Sequence, residues 1–416
     1  MPIYYIDGKS GKSTNDGLTP QTPLDSSDNI SIIPGDTVLF KRGTEYNSQL
    51  RLINGDVGCP VTYSAYGDGD MPKFYLSKDV SDVNDWIRSD KENVWECTVP
   101  IDGEVGNFVF NGDECTATLR WCENELDSQG DFYDSRFGTN ESKKPDVPKQ
   151  KVLLYSKINP ALFYDKIECI SYSKRVIGRL CHNIVIDGLK FANSGVHALA
   201  GSGDNITVRN CVFENIGGCA WNSDLKIRFG NAFEIWYSGN NILIEGCTFK
   251  NVYDSCITHQ GPGEQTRQCN TFICRDNIFD TYGMAAFEYR DKLPINSSFT
   301  NNICKNAGCG FAMLGEDLPR SSEIWPQPMG HHIFLWRIPK AEAGDLLISD
   351  NLFGSAPVGA AIYSIISKEA EDRITLKNNR YTKNDSLLIH FGGESFTDLE
   401  EYKKVTKKDS DSTYTN

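Results

Sequence analysis

The chain has 416 residues, with 42 Lys and Arg against 56 Asp and Glu and a formal charge of −14; its pI is near 5.0. That balance argues against a nucleic-acid partner, because phosphate binding needs clustered Lys and Arg, and it weighs against a strongly anionic polymer, so a neutral glycan fits better. No run of about 18 apolar residues is present to cross a membrane, and Met1-Pro-Ile-Tyr-Tyr-Ile6 lacks the charged start and apolar core of a secretory signal. The expectation is a cytoplasmic protein, with a secreted one whose leader was removed as the alternative.

Tyr4-Tyr-Ile-Asp-Gly8 through Gly35-Asp-Thr-Val-Leu-Phe40 alternates apolar residues with turn residues and reads as entry coils. Residues from about 77 to 160 are an elaborated insertion, with Trp86, Trp95 and Trp121 spaced through polar sequence and the charged stretch Asn140-Glu-Ser-Lys-Lys-Pro-Asp146. Between Asn183 and Tyr381 a nine-residue phrase occurs seven times, apolar at its second and fourth places, Asn or Gly at its sixth and usually aromatic at its ninth. The copies begin at Asn183, Asn205, Asn241, Thr271, Asn296, Asp345 and Arg373, and their ninth residues lie 22, 36, 30, 25, 49 and 28 apart. A coil of roughly 22 to 25 residues holding a short alternating strand and a turn is the signature of an all-β parallel β-helix, in which no coil buries its own apolar face. The reading is one solenoid domain over residues 1–395. Residues 396–416 form a capping helix, with Thr397 as N-cap, and a frayed tail.

Cys211, Cys247 and Cys304 fall at equivalent or neighbouring places of the repeat and read as buried thiols. No CxxC pair or Cys/His cluster has metal-ligand spacing, and the adjacent His331 and His332 point to opposite faces of a strand, so no metal or other cofactor is expected.

Residues 217 to 232, 259 to 269 and 314 to 336 lengthen three coils, and turns protruding on one side of a solenoid build the walls of a cleft. The repeat places Glu234, Thr258, Glu288 and Ala312 in one line across the coils. It also sets Asp254 where flanking coils carry Gly217 and Gly308 or Gly283. Coils stack about 4.8 Å apart. Adjacent-coil carboxylates such as Asp254 and Glu288 can therefore reach the roughly 5 to 5.5 Å of a retaining glycosidase, while Glu234 and Glu288, two coils apart, approach the roughly 9.5 Å limit of an inverting one. Both geometries stay open from spacing alone. Trp236, Tyr237 and Tyr289 supply aromatic faces for a sugar ring. Arg228, Gln260, Arg290, Glu316, Arg320 and His332 complete the cleft candidates, Arg228 and Arg290 first because each neighbours a proposed carboxylate.

At these residues the chain resembles a known group. Phe229-Gly-Asn-Ala-Phe-Glu-Ile-Trp236, Val252-Tyr-Asp254, Gly283-Met-Ala-Ala-Phe-Glu-Tyr289 and Asn306-Ala-Gly-Cys-Gly310 are similar to the core of bacterial right-handed, pectate-lyase-like β-helix carbohydrate-active proteins, nearest to glycoside hydrolase families 120 and 141. Relatives carrying this motif have Gly-Trp and Gln-Arg where this chain has Gly310-Phe311 and the 314–317 stretch. The resemblance implies a retaining glycosidase acting on a plant or microbial glycan, with Asp254 as nucleophile, Glu288 as acid/base and Glu234 binding substrate or setting a neighbour's pKa. A polysaccharide lyase, and a glycan-binding or tail-spike-like protein without catalysis, are the alternatives.

Overall fold

In the computed structural model, residues 1–112, 115–137, 150–172, 175–224, 226–237, 239–260, 269–310, 329–338, 344–383 and 387–415 are described. Three long sheets run the length of the molecule and form the faces of a parallel β-helix. The first has ten strands, from Ile3–Ile6 to Ile374–Lys377; the second has ten, from Glu45–Tyr46 to Thr413–Tyr414; the third has eight, from Leu199–Gly201 to Glu394–Phe396.

The physical basis of the nine-residue phrase is visible in this frame. Its second and fourth places, such as Ile184 and Ile186 or Ile242 and Ile244, point inward from the first sheet and are fully buried. Its sixth place is Gly188, Asn210, Gly246, Asp276, Asn301, Asp350 or Asn378, and every one has φ between 52° and 71°. The corner between the first and second sheets demands the left-handed conformation, which Gly adopts freely and Asn or Asp more readily than other side chains. The ninth place builds an interior stack, with Phe191, Phe213, Phe249 and Phe279 at centroid spacings of 5.4, 5.0 and 4.9 Å. At the seventh place the residues change from Cys211 and Cys247 to Asn277, Asn302, Asn351 and Asn379, whose side-chain amides bond from coil to coil at 3.0 to 3.1 Å. Cys211, Cys247 and Cys304 are buried free thiols.

The insertion extends further than expected. Lys78–Asp79, Val105–Phe110, Cys115–Thr116 and Ile167–Ser171 share one small sheet, and a second of five strands packs beside it. Trp86 and Trp95 are buried in the insertion's own core with Phe108, Phe110 and Phe132. At the C-terminus, the helix spans Leu399–Thr406 and its N-cap is Asp398, not Thr397: the carboxylate accepts from the Glu400 and Glu401 amides at 3.0 Å. Nor is the tail frayed. Thr413–Tyr414 pairs with Arg380–Tyr381, and the buried Asp409 accepts from the Tyr381 hydroxyl and from Asn379.

Candidate active site

Strand alternation on the third sheet sorts the candidates. Phe233, Ile235, Ile257, Phe287, Tyr289, Ile333 and Leu335 point into the solenoid core. Residues one place along face outward: Glu234 registers on Thr258, Thr258 on Glu288, and Glu288 on Phe334. The fourth member of the row is thus Phe334, from His331–Trp336, and not Ala312, because the extra residues of this coil come before the strand in sequence rather than after it. Ala312, Glu316 and Arg320 lie outside the described residues.

Asp254 sits at the corner between Thr248–Val252 and Ser255–Gln260, on the coil between those of Glu234 and Glu288. The register differs by one from the sequence alignment. Tyr253, Gly283 and Gly308 each donate their backbone N–H to the equivalent position of the coil before, so Tyr253 is the residue that matches the glycines. The Asp254 carbonyl accepts from Met284 N at 3.0 Å, and its own N–H donates to Gly230 O at 3.3 Å.

Both glutamates are anchored by an indole N–H and a basic side chain. Glu234 accepts from Trp236 Nε1 at 2.5 Å and from Gln260 Nε2 on Oε1, and from Asn231 Nδ2 at 2.9 Å on Oε2. His197 Nδ1 lies 2.8 Å from the same Oε2 and 3.0 Å from the Asn231 backbone N. One ring nitrogen cannot both donate and accept; the ionised carboxylate has no proton to give, so Nδ1–H donates to it. Burial pushes the Glu234 carboxyl up, but the His197 charge and the hydrogen bonds from His197, Asn231 and Trp236 outweigh it and hold the group at about 2. Glu288 receives Arg290 Nε at 2.7 Å, Arg290 Nη2 at 2.5 Å and Trp336 Nε1 at 2.5 Å, all on Oε1. Its Oε2 meets the Ser255 hydroxyl at 3.1 Å.

One polar rung connects the two. Register puts His197, Asn231 and Ser255 at the same place on successive coils, three residues before Ala200, Glu234 and Thr258. Asn231 Oδ1 accepts from Ser255 N at 2.9 Å while its Nδ2 holds Glu234. Sequence reasoning missed His197, Asn231, Ser255 and Trp336; the signal that reveals the first three is their common offset from the carboxylate row.

The other candidates divide. Arg290 joins the site through Glu288 and stacks over Trp336 at 4.3 Å, Gln260 and Trp236 join it through Glu234, and Thr258 lies between the two carboxylates. Tyr237 is 46% exposed beside this row, with φ of 67°. Tyr289 does not reach the cleft: it is fully buried in the core, stacked on Phe287 at 3.9 Å. His332 is also interior, at the opposite end of its strand, bonded to the Tyr282 hydroxyl at 2.5 Å and the Gly354 carbonyl at 3.0 Å, and burial holds its pKa down at about 4. Arg228 is 1% exposed; its guanidinium donates to the Gly218 and Gly106 carbonyls at 2.6 and 2.8 Å and lies 4.4 Å over the Tyr253 ring. It ties the hairpin formed by Cys219–Asn222 and Ile227–Phe229 to the insertion. His259, read as the start of a loop, instead continues the strand Ser255–Gln260 with its ring in the interior. No group of three or more His, Cys, Asp and Glu that could hold a metal occurs among the described residues, and no helix among them is long and apolar enough to cross a membrane.

Comparisons with known proteins agree with this architecture. A family model described as a right-handed beta helix region matches residues 174–318, which include Glu234, Asp254 and Glu288. Lacto-N-biosidase of Bifidobacterium longum subsp. longum is 31% identical over 99 residues, which are 22% of this chain and 6% of that protein. The structure of XylC with xylose superposes with a TM-score of 0.52 at 13% identity, covering 93% of this chain and 62% of the other. A GH136 lacto-N-biosidase from Eubacterium ramulus gives a TM-score of 0.49 at 14% identity, covering 94% and 62%. The chain spans less than two thirds of the length of each of these proteins. Its architecture is the right-handed parallel β-helix found among carbohydrate-active enzymes.

Proposed function

We propose that this protein is a retaining glycoside hydrolase in which Asp254 attacks the anomeric carbon and Glu288 protonates the leaving oxygen and then activates water. The observation that carries this reading is the unequal occupancy of the carboxylates. Glu234 has both oxygens filled by His197, Asn231, Trp236 and Gln260, which suits a fixed negative charge and disfavours nucleophilic attack or proton transfer. At Glu288 the Arg290 and Trp336 donors crowd onto Oε1, leaving Oε2 with the Ser255 hydroxyl, a group able to donate to a carboxylate or accept from a carboxylic acid. With Glu234 removed from proton transfer, the remaining pair lies on adjacent coils, about 4.8 Å apart along the solenoid, which matches a covalent glycosyl-enzyme route better than a water-mediated inversion. The similarity to a segment of a lacto-N-biosidase and the fold shared with XylC, solved with xylose, support a glycosidic substrate.

Aryl glycosides with good leaving groups, assayed with added azide, test the assignment. Asp254→Asn and Glu288→Gln should each lose at least about 10³-fold in turnover. Azide should rescue Glu288→Gln with retained product configuration, whereas any azide product from an Asp254→Gly variant should be inverted. An inverted first product from the unaltered enzyme, seen by NMR, would refute the adjacent-coil pair. Accumulation of an unsaturated product absorbing near 235 nm would point to elimination instead.

A further inference from the structure

Arg175 stands beside the carboxylate row, its guanidinium hydrogen-bonded to none of the described residues. Its guanidinium lies 4.9 Å over the Trp236 ring, and it makes no side-chain hydrogen bond or ion pair among the described residues. Its backbone is nevertheless pinned, the carbonyl accepting from Gln49 Nε2 at 2.6 Å. Burial lowers its pKa, and Glu234 is the neighbouring charge that most opposes that lowering. Five planar N–H donors held over an indole and engaged by none of the described residues are a recognition element for oxygen atoms from outside.

A second orphan lies close by. The Thr258 hydroxyl is fully buried, faces outward between Glu234 and Glu288, and has no hydrogen-bond partner among the described residues. Trp236 registers on Gln260, two places along from Thr258 on the same face, so ring and hydroxyl are diagonal neighbours. Half-buried rings continue the wall away from the sheet: His197 contacts Trp236 at 6.2 Å and Phe229 at 5.2 Å, and Phe229 contacts Tyr172 at 6.0 Å.

We infer that Arg175, Trp236 and Thr258 form a subsite on the Glu234 side of the catalytic pair for a neutral, hydroxyl-rich pyranose, with Arg175 as its specificity-determining residue. The inference builds on the glycosidase reading for the position of the reacting bond but not for the binding itself. Trp236 lines the subsite and carries Arg175 over its ring, Arg175 donates to hydroxyls, and Thr258 satisfies one more. A neutral sugar is favoured over a uronate because the Glu234 carboxylate, held by donors on both oxygens, offsets the Arg175 charge and would repel a second carboxylate, while leaving the guanidinium's N–H groups available.

Calorimetric titration with matched pairs, D-galactose against D-galacturonate and D-glucose against D-glucuronate, together with D-xylose and L-fucose, tests it. At least one neutral sugar should bind, and any corresponding uronate at least 10-fold more weakly. Arg175→Ala should weaken the neutral sugar 10- to 100-fold, the worth of one or two hydrogen bonds to a charged donor; Arg175→Lys should lose less, and Thr258→Val about 5- to 10-fold. Arg175→Gln, matched in thermal midpoint to the parent protein, guards against a folding defect. Tighter binding of uronates, equal binding by Arg175→Ala, or binding of no sugar in the panel overturns the subsite. Arg175-dependent binding without hydrolysis of any aryl glycoside would sink the glycosidase reading alone; hydrolysis of neutral glycosides with kcat/KM unchanged in Arg175→Ala would sink the subsite alone.

Discussion

His259 offers a test of the interior that is independent of catalysis. Its ring is fully buried, neither nitrogen has a hydrogen-bond partner among the described residues, and burial, reinforced by Lys292, lowers its pKa from 6.5 to about 4. The unfolded chain therefore binds a proton between pH 6.5 and 4 that the folded chain refuses, so stability falls as pH drops through that window and is intact above it. For pKa values of 6.5 and 4, the single-site linkage is worth about 0.1 kcal/mol at pH 7.5 and about 2 kcal/mol at pH 5. His259→Phe removes both the linkage and two unsatisfied polar atoms, whose burial costs on the order of 1 kcal/mol at any pH. The variant should match or exceed the parent at pH 7.5, and its advantage should grow by about 2 kcal/mol on going to pH 5. With an unfolding entropy of about 2.1 cal/mol/K per residue over 416 residues, that growth is about 2 °C in the thermal midpoint. All other titrating groups cancel in the difference between the two proteins. Parallel midpoint-against-pH curves would refute the claim that this ring is held neutral in the core.

Two further outcomes follow from the coil-to-coil ladders. Phe249→Ala, in the middle of the stack with rings at 5.0 and 4.9 Å on either side, should cost about 3 to 5 kcal/mol in denaturant unfolding; a loss below about 1 kcal/mol would mean that the stack contributes little. Asn351→Ala strips partners from Asn302, Asn379 and the Phe299 carbonyl, so a loss of about 2 to 4 kcal/mol is expected, with hydrogen exchange accelerating first in the C-terminal coils; uniform exchange along the solenoid would argue against a local ladder.

Much of the architecture was legible because the solenoid rewrites one local problem many times. The left-handed corner at Gly188 or Asn301 and the inward pair at Ile184 and Ile186 are imposed within nine residues, so they survive as a readable repeat. The row of Glu234, Thr258 and Glu288 was legible for the same reason, since in-register stacking turns equal places in the repeat into neighbours. Where the spacing of the repeat changes, that logic fails: the extra residues before His331–Trp336 made Ala312 look like the next rung, although Phe334 holds the place.

By itself, then, the sequence determined the β-helix and the three coils on which acidic residues would gather, because backbone sterics and alternate burial act locally and repeat. Only the tertiary structure decided what each polar group does. It filled Glu234 with donors from His197 on one coil and Gln260 on another, left one oxygen of Glu288 to a single hydroxyl, and turned Tyr289, His259 and His332 into the core. Those outcomes depend on which side of a strand each residue faces and on what the neighbouring coil brings within about 3 Å, the reach of a hydrogen bond, and no stretch of a single coil contains that information.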